Sequence, residues 1–284
     1  MVADEGFVRA RGGEPLPGGA ARWFVFAGPR VLVAEDTRTP PAASREALGF
    51  EAADPLYVGT LDGVPCVAAQ LVAAETDEAP TGYAAYDLRR LYGMTSEDVW
   101  AVAALSSQLL YWAATTRFCS RTGHATVRKE GEWAAVCPAC GFTQYPRVSP
   151  CTITLIHDGE RMLLTRQPRW PAGRYSLVAG FVEPGETLEQ CVEREIREET
   201  GVAVTDIAYT GSQPWPFPHQ LMIGFTARYA GGAVVVDTSE LEDAKWFTLD
   251  ALPMMPPPLS IARRIIDAHL AAHGRTSNGE DRGW

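Results

Sequence analysis

The chain has 284 residues, 46% apolar content and a formal net charge of −10. That length suggests two or so domains with a substantial buried core. The acidic balance excludes broad electrostatic binding to nucleic acid, which needs a basic patch, but leaves room for a local RNA contact. No apolar run approaches about 18 residues, so no membrane span is predicted. Met1 to Gly6 lacks a basic start followed by an apolar run, so no secretory signal is expected. Six cysteines spread over this length do not read as a disulfide framework. A reducing, cytoplasmic setting is the expectation.

Residues 1–94 read as an N-terminal mixed α/β domain. Trp23 to Phe26 and Arg30 to Ala34 are strand-like, and Tyr57 to Val67 reads as a hairpin turning near Asp62-Gly63. Residues 95–116 form a connecting helix, capped by Thr95 or Ser96, with Val99, Val102, Leu109, Leu110 and Ala113 among its apolar positions. Residues 117–148 carry a cysteine cluster. Residues 149–273 form the C-terminal domain, with strands at Cys151 to Ile156 and Met162 to Thr165 and a final helix near Ser260 to His273. Residues 274–284 are polar and glycine-containing and are expected to be a disordered tail. Cys66, Cys151 and Cys191 are expected to be buried apolar residues.

Cys137-Pro-Ala-Cys140-Gly is a zinc-knuckle sequence, since two thiolates two residues apart share one tetrahedral Zn²⁺. The upstream partner reads Cys119-Ser-Arg-Thr122-Gly123, with threonine at the fourth ligand position. Three readings stand open: His124 completes a Cys₃His site, water fills the gap, or the ribbon keeps its shape without metal.

The most informative stretch runs from Gly180 to Val202. Thr187 and Gln190 form a capping box, Leu188, Val192 and Ile196 recur at helical spacing, and Gly201 ends the helix. Glu195 shares a helix face with Glu198 and Glu199. Such crowding is unfavourable in a bare helix, and a hard divalent cation relieves it by taking carboxylate oxygens as ligands. Downstream, Ser212-Gln-Pro-Trp-Pro-Phe-Pro-His-Gln-Leu-Met222 alternates prolines with aromatics, which makes a stiff, extended segment.

Gly180, five residues, Glu186, seven residues, then Arg194-Glu195-Ile196-Arg197-Glu198-Glu199-Thr200-Gly201-Val202 matches the Nudix box at every defined position. The chain resembles the Nudix hydrolases. The Ser-Gln-Pro-Trp-Pro-Phe-Pro run and the cysteine module resemble the NADH pyrophosphatase branch, the NudC type. That resemblance implies an α+β fold: the N-terminal mixed domain, a small zinc-ribbon-like module, and a C-terminal Nudix α/β/α sandwich with a mixed sheet.

It also implies the site. Mg²⁺ or Mn²⁺ ligands fall on Glu195, Glu199 and Glu240, with the backbone carbonyl of Ala179. Glu198 and Glu199 are candidates for the proton-accepting role. Arg194 joins the catalytic set by holding the glutamates. Tyr145 and Phe181 stack on the bound base. Further substrate contacts fall on Gln213, Pro214, Trp215, Pro216, Phe217, Pro218, His219, Gln220, Met222 and Ala262, with Gln220 standing where the family has serine. A Zn²⁺, if the ribbon holds one, falls on Cys119, Cys137 and Cys140, with His124 as the candidate fourth ligand.

The implied activity is hydrolysis of NADH or NAD⁺ to NMNH or NMN plus AMP, extending to removal of NAD caps from RNA 5′ ends, by a homodimer. Its rivals are a Nudix enzyme for another dinucleotide, such as ADP-ribose or a dinucleoside polyphosphate, and a non-catalytic nucleotide sensor.

Overall fold

The computed structural model describes residues 6–72 and 79–276. Two compact units divide the chain: Met1–Arg147 with Pro216–His219, and Val148–Trp215 with Gln220–Trp284. Met1 to Glu5, and residues 277–284 of the expected tail, lie outside the described residues.

Among the described residues, the first unit holds β1 (Phe7–Arg9), β2 (Ala21–Ala27), β3 (Arg30–Ala34), β4 (Ala42–Ala43), β5 (Ala52–Leu61), β6 (Val64–Leu71) and β7 (Tyr83–Asp87). They form one sheet in the order β1-β5-β6-β2-β3-β7, with β4 on β2. Asp62 and Gly63 both take positive φ, which gives the β5–β6 hairpin the two-residue turn expected from the sequence. After a short α1 (Leu88–Leu91), α2 (Glu97–Thr115) begins at Ser96, whose side chain accepts from the Val99 N–H. Val99, Val102, Leu109 and Leu110 are buried, Ala113 is half-buried, and the helix packs on β5 and β6. The cysteine module follows as three two-residue strands, β8 (Val127–Arg128), β9 (Ala135–Val136) and β10 (Thr143–Gln144), in the order β10-β9-β8.

The second unit is built on β11 (Ser149–Asp158), β12 (Arg161–Arg166), β13 (Val178–Phe181), β14 (Ala203–Trp215), β15 (Gln220–Gly231) and β16 (Asp243–Thr248), with α3 (Leu188–Thr200) and α4 (Ile261–Ala272). The sheet order is β14-β15-β11-β12-β16, with β13 also on β11. β11 pairs in parallel with β15 along one edge. Along the other edge it pairs with β13 at Cys151–Thr154 and with β12 at Ile156–Asp158, so the sheet forks there.

Residues alternate between the two faces. Cys151, Ile153, Leu155, Met162 and Leu164 join a core with Ile261, Ala262, Ile265, Ile266 and Leu270 of α4. Ile156, Leu163 and Phe225 join another with Val192 and Ile196 of α3. One helix on each face of a mixed sheet is the sandwich expected from the resemblance. Cys66, Cys151 and Cys191 are buried, as predicted.

Two details differ from the sequence reading. The proline-aromatic stretch is the end of a long β-hairpin: Gln213, Pro214 and Trp215 pair with Met222, Leu221 and Gln220, and only Pro216 to His219 form the tip. Arg275, in the stretch expected to be a loose tail, is held by Asp250 at 2.7 Å and Glu160 at 3.5 Å.

Candidate active site

α3 is delimited as its sequence dictates. The Thr187 hydroxyl accepts from the Gln190 N–H, the Gln190 side chain accepts from the Thr187 N–H, and Gly201 closes the helix at φ 73°. Cys191, Val192, Ile196 and Thr200 are buried. Glu199 lies at that same helical spacing, so packing carries its carboxylate inward, to 5% exposure.

Burial, then the charges of Glu195, Glu240, Asp237 and Glu198, push the Glu199 carboxyl up to about 8. Glu195 is also raised, chiefly by burial, with Arg194 acting in opposition. This is the electrostatic signature of a site that favours a cation. The donor chemistry, carboxylates crowded at a helix face, fits a hard divalent ion.

Arg194 organises the cluster. Its guanidinium donates to Glu186 (2.7 and 3.0 Å), Glu195 (2.8 Å), Glu198 (3.2 Å) and the Phe181 carbonyl (2.9 Å). The Glu186 carboxyl is lowered to about 2, mainly by this bond. Arg194 therefore acts as a positioning residue, tying the box helix to the end of β13. Gly180 makes room: Glu195 lies directly over its α-carbon, where any side chain would overlap.

Glu240 reaches the neighbourhood through the backbone. The Val235 N–H donates to the Thr200 carbonyl and the Asp237 N–H to the Glu199 carbonyl, strapping this segment to the C-terminus of α3. The Glu240 N–H then bonds the Asp237 carbonyl. Ala179 lies in β13, paired with Ile153. Among the described residues, only the sulfurs of Cys119, Cys137 and Cys140 gather within 4.8 Å of one another as a potential ligand set, so Glu195, Glu199 and Glu240 stand further apart. His124 does not join the sulfurs; its carbonyl instead accepts from the Cys119 N–H.

The remaining candidates differ in accessibility. Tyr145 and Phe181 are 57% and 50% exposed and present open ring surface. Gln213 is buried, and both ends of its amide are committed: Nε2 donates to the Leu259 carbonyl and Oε1 accepts from the Ile261 N–H. Met222 and Ala262 belong to the core under α4. In the first unit, the Arg89 guanidinium lies 3.6 Å from the Phe217 ring centroid, and His219 packs against Tyr111. Pro214, Pro218 and Gln220 keep some exposure, and Trp215 is half-buried against the α4 core. Sequence reasoning missed the Gln213 clamp and Asp237. Neither carries a local signal, because each acquires its neighbours from segments distant in the chain.

Residues 146–270 match the NUDIX domain, residues 114–145 the NADH pyrophosphatase zinc ribbon domain, and residues 20–112 the NADH pyrophosphatase-like rudimentary NUDIX domain. The chain is 44% identical to the NAD-capped RNA hydrolase NudC of Pseudomonas aeruginosa (strain LESB58), over 81% of this chain and 78% of that protein. The chain belongs to the NADH pyrophosphatase branch of the Nudix hydrolases. Two further relatives of that branch extend the likeness. The NudC of Stutzerimonas stutzeri (strain A1501) is 42% identical over 81% of this chain and 79% of its own. That of Pseudomonas syringae pv. syringae (strain B728a) is 38% identical over 95% and 88%. All three modules occur here in chain order: the rudimentary NUDIX domain, the zinc ribbon domain and the NUDIX domain.

Proposed function

We propose that the protein is a divalent-metal-dependent pyrophosphohydrolase that cleaves NADH or NAD⁺ to NMNH or NMN plus AMP, and removes NAD caps from RNA 5′ ends. The observation that carries this reading is the buried Glu199 on the box helix, surrounded by Glu195, Glu198, Glu240 and Asp237. A nucleotide sensor has no need of such a costly cluster of acids. The likeness to NAD-capped RNA hydrolases directs the substrate choice.

Glu195, Glu199, Glu240 and the Ala179 carbonyl are the groups that would hold Mg²⁺ or Mn²⁺. When bound, the ion offsets charge on the diphosphate and lowers the pKa of water. The protein's own part is positional. Arg194 holds Glu195 and Glu198 in place. Water adds to one phosphorus, the anhydride P–O bond breaks, and the water's proton passes to a carboxylate. The Glu198 side chain, 60% exposed, is the box carboxylate within reach of solvent for that proton, whereas Glu199 is turned inward. Phe181, at the end of β13, offers aromatic surface for a base or nicotinamide ring, with stacking worth about 1–3 kcal/mol per base; the resemblance gives Tyr145 the same role.

No helix among the described residues is long and apolar enough to cross a membrane. The free cysteines suit a reducing, cytoplasmic setting, and the family likeness supports a homodimer.

Purified protein with Mg²⁺ or Mn²⁺, offered NADH, NAD⁺, ADP-ribose and NAD-capped RNA side by side, tests the reading. AMP with NMNH or NMN is the expected product pair. Much faster turnover of ADP-ribose would overturn the substrate assignment, and binding without turnover of any of them would favour the sensor.

A further inference from the structure

The cysteine module contains two knuckles with the same backbone and different chemistry. In the downstream knuckle, the Gly141 N–H donates to the Cys137 carbonyl at 2.8 Å, and the Cys137 N–H donates to the Phe142 carbonyl at 2.9 Å. In the upstream one, the Gly123 N–H donates to the Cys119 carbonyl at 2.8 Å, and the Cys119 N–H to the His124 carbonyl at 2.8 Å. Gly123 and Gly141 take nearly the same left-handed φ, 73° and 71°. The upstream knuckle has kept its fold although Thr122 stands where a second thiol belongs. By this correspondence, Thr122 occupies the position that Cys140 occupies in the other knuckle.

The side-chain distances agree with that placement. Tetrahedral zinc with bonds of about 2.3 Å to sulfur and about 2.0–2.2 Å to oxygen separates two sulfurs by roughly 3.8 Å, and a sulfur from an oxygen by roughly 3.5–3.7 Å. Cys119 Sγ and Cys140 Sγ are 3.7 Å apart, and Thr122 Oγ1 lies 3.5 Å from Cys137 Sγ. The three sulfurs lie within 4.8 Å of one another. Strands of two residues around Ala134 and Ala135 make too small a core to fix such geometry unaided.

We infer that the module binds one Zn²⁺ through Cys119, Cys137 and Cys140, with the Thr122 oxygen at the fourth corner. His124 is not a ligand. Thr122 and Cys140 are both exposed, so the oxygen corner faces solvent. A neutral oxygen there donates less to the metal than a thiolate, and its exposed corner is where water or a chelator enters. The site is therefore an exchangeable version of a closed structural one.

X-ray absorption at the zinc edge of the full chain, together with the rate of zinc transfer to a chelator, tests this. The expected coordination is three sulfurs and one oxygen, with one zinc per chain. Thr122→Cys should give four sulfurs and slow zinc release. Thr122→Val should speed release, and Thr122→Ser should hold the wild-type rate. Removing even an outer-shell partner costs roughly 10–100-fold in metal affinity, so about tenfold or more is expected in each direction. Protein purified without zinc, an imidazole signal from His124, or release from Thr122→Val at the wild-type rate would each overturn the assignment. If Thr122→Val does not fold, Thr122→Cys decides alone: release no slower than wild type refutes the oxygen corner.

Discussion

The carboxylate of Glu195 rests on the α-carbon of Gly180. A Cβ built at Gly180 would lie 1.7 Å from Glu195 Cδ and about as close to both oxygens. Gly180 and Glu195 are thus one structural feature, made when β13 passes under α3.

Gly180→Ala should therefore displace Glu195 from its place beside Arg194. Divalent-metal affinity is expected to fall by roughly 10–100-fold, the usual effect of disturbing the groups that orient a ligand. Titration with Mn²⁺, followed by calorimetry, reads this directly. An unchanged dissociation constant would show that Glu195 takes no part in holding the ion.

Glu199 sets a pH dependence in protein free of added divalent ions. Its carboxyl, with a reference value of 4.5, is pushed up to about 8 in the fold, so between these values the folded chain holds a proton that the unfolded chain has released. Stability from this group is complete below about 4.5 and is lost as pH rises through about 8. Glu199→Gln should remove that loss and stabilise the metal-free protein at alkaline pH, by at most a few kcal/mol. Mg²⁺ or Mn²⁺ should stabilise the wild type at that pH and the variant much less. Thermal unfolding from pH 5 to 9, with and without the ion, measures both effects; equal slopes in wild type and variant would refute the assignment.

His269 has the opposite sign. Burial, then His273 and His157, push its imidazole down from 6.5 to about 4. The neighbouring rings lie 4.5 and 5.1 Å away between centroids. The unfolded chain takes up a proton near 6.5 that the folded chain resists until about 4, so stability is full above the first value and is lost as pH falls toward the second. His269→Leu should remove this loss and leave the fall in stability with rising pH set by Glu199 as the slope of Tm against pH between about 4.5 and 6.5. Between about 4.5 and 6.5 the Glu199 and His269 slopes oppose each other, so the double variant with Glu199→Gln is expected to be flatter than either single one.

Gln213→Leu should lower stability through α4. The change leaves the Leu259 carbonyl and the Ile261 N–H, both in buried hydrogen bonds at present, without their partner. Each such group costs about 1–3 kcal/mol when left unsatisfied. Chemical denaturation should show a loss of about 2 kcal/mol or more. A raised KM with unchanged stability would instead mark Gln213 as a substrate contact.

The primary structure alone determined the features whose causes lie within a few residues. The capping box at Thr187 and Gln190, the glycine stop at Gly201, the box glutamates on one helix and the paired knuckles at Cys119 and Cys137 are local chemistry written at fixed spacing. Tertiary structure decided what those groups meet. The Glu199 carboxyl is pushed up to about 8 because α3 packs its Val192–Ile196 face on the sheet and because the segment before Glu240 is strapped to the helix end. Gln213 became a clamp, and Met222 and Ala262 core residues, because α4, distant in sequence, packs on the β14–β15 hairpin. Burial and proton affinity depend on every neighbour a group acquires, and most of those neighbours are far away along the chain.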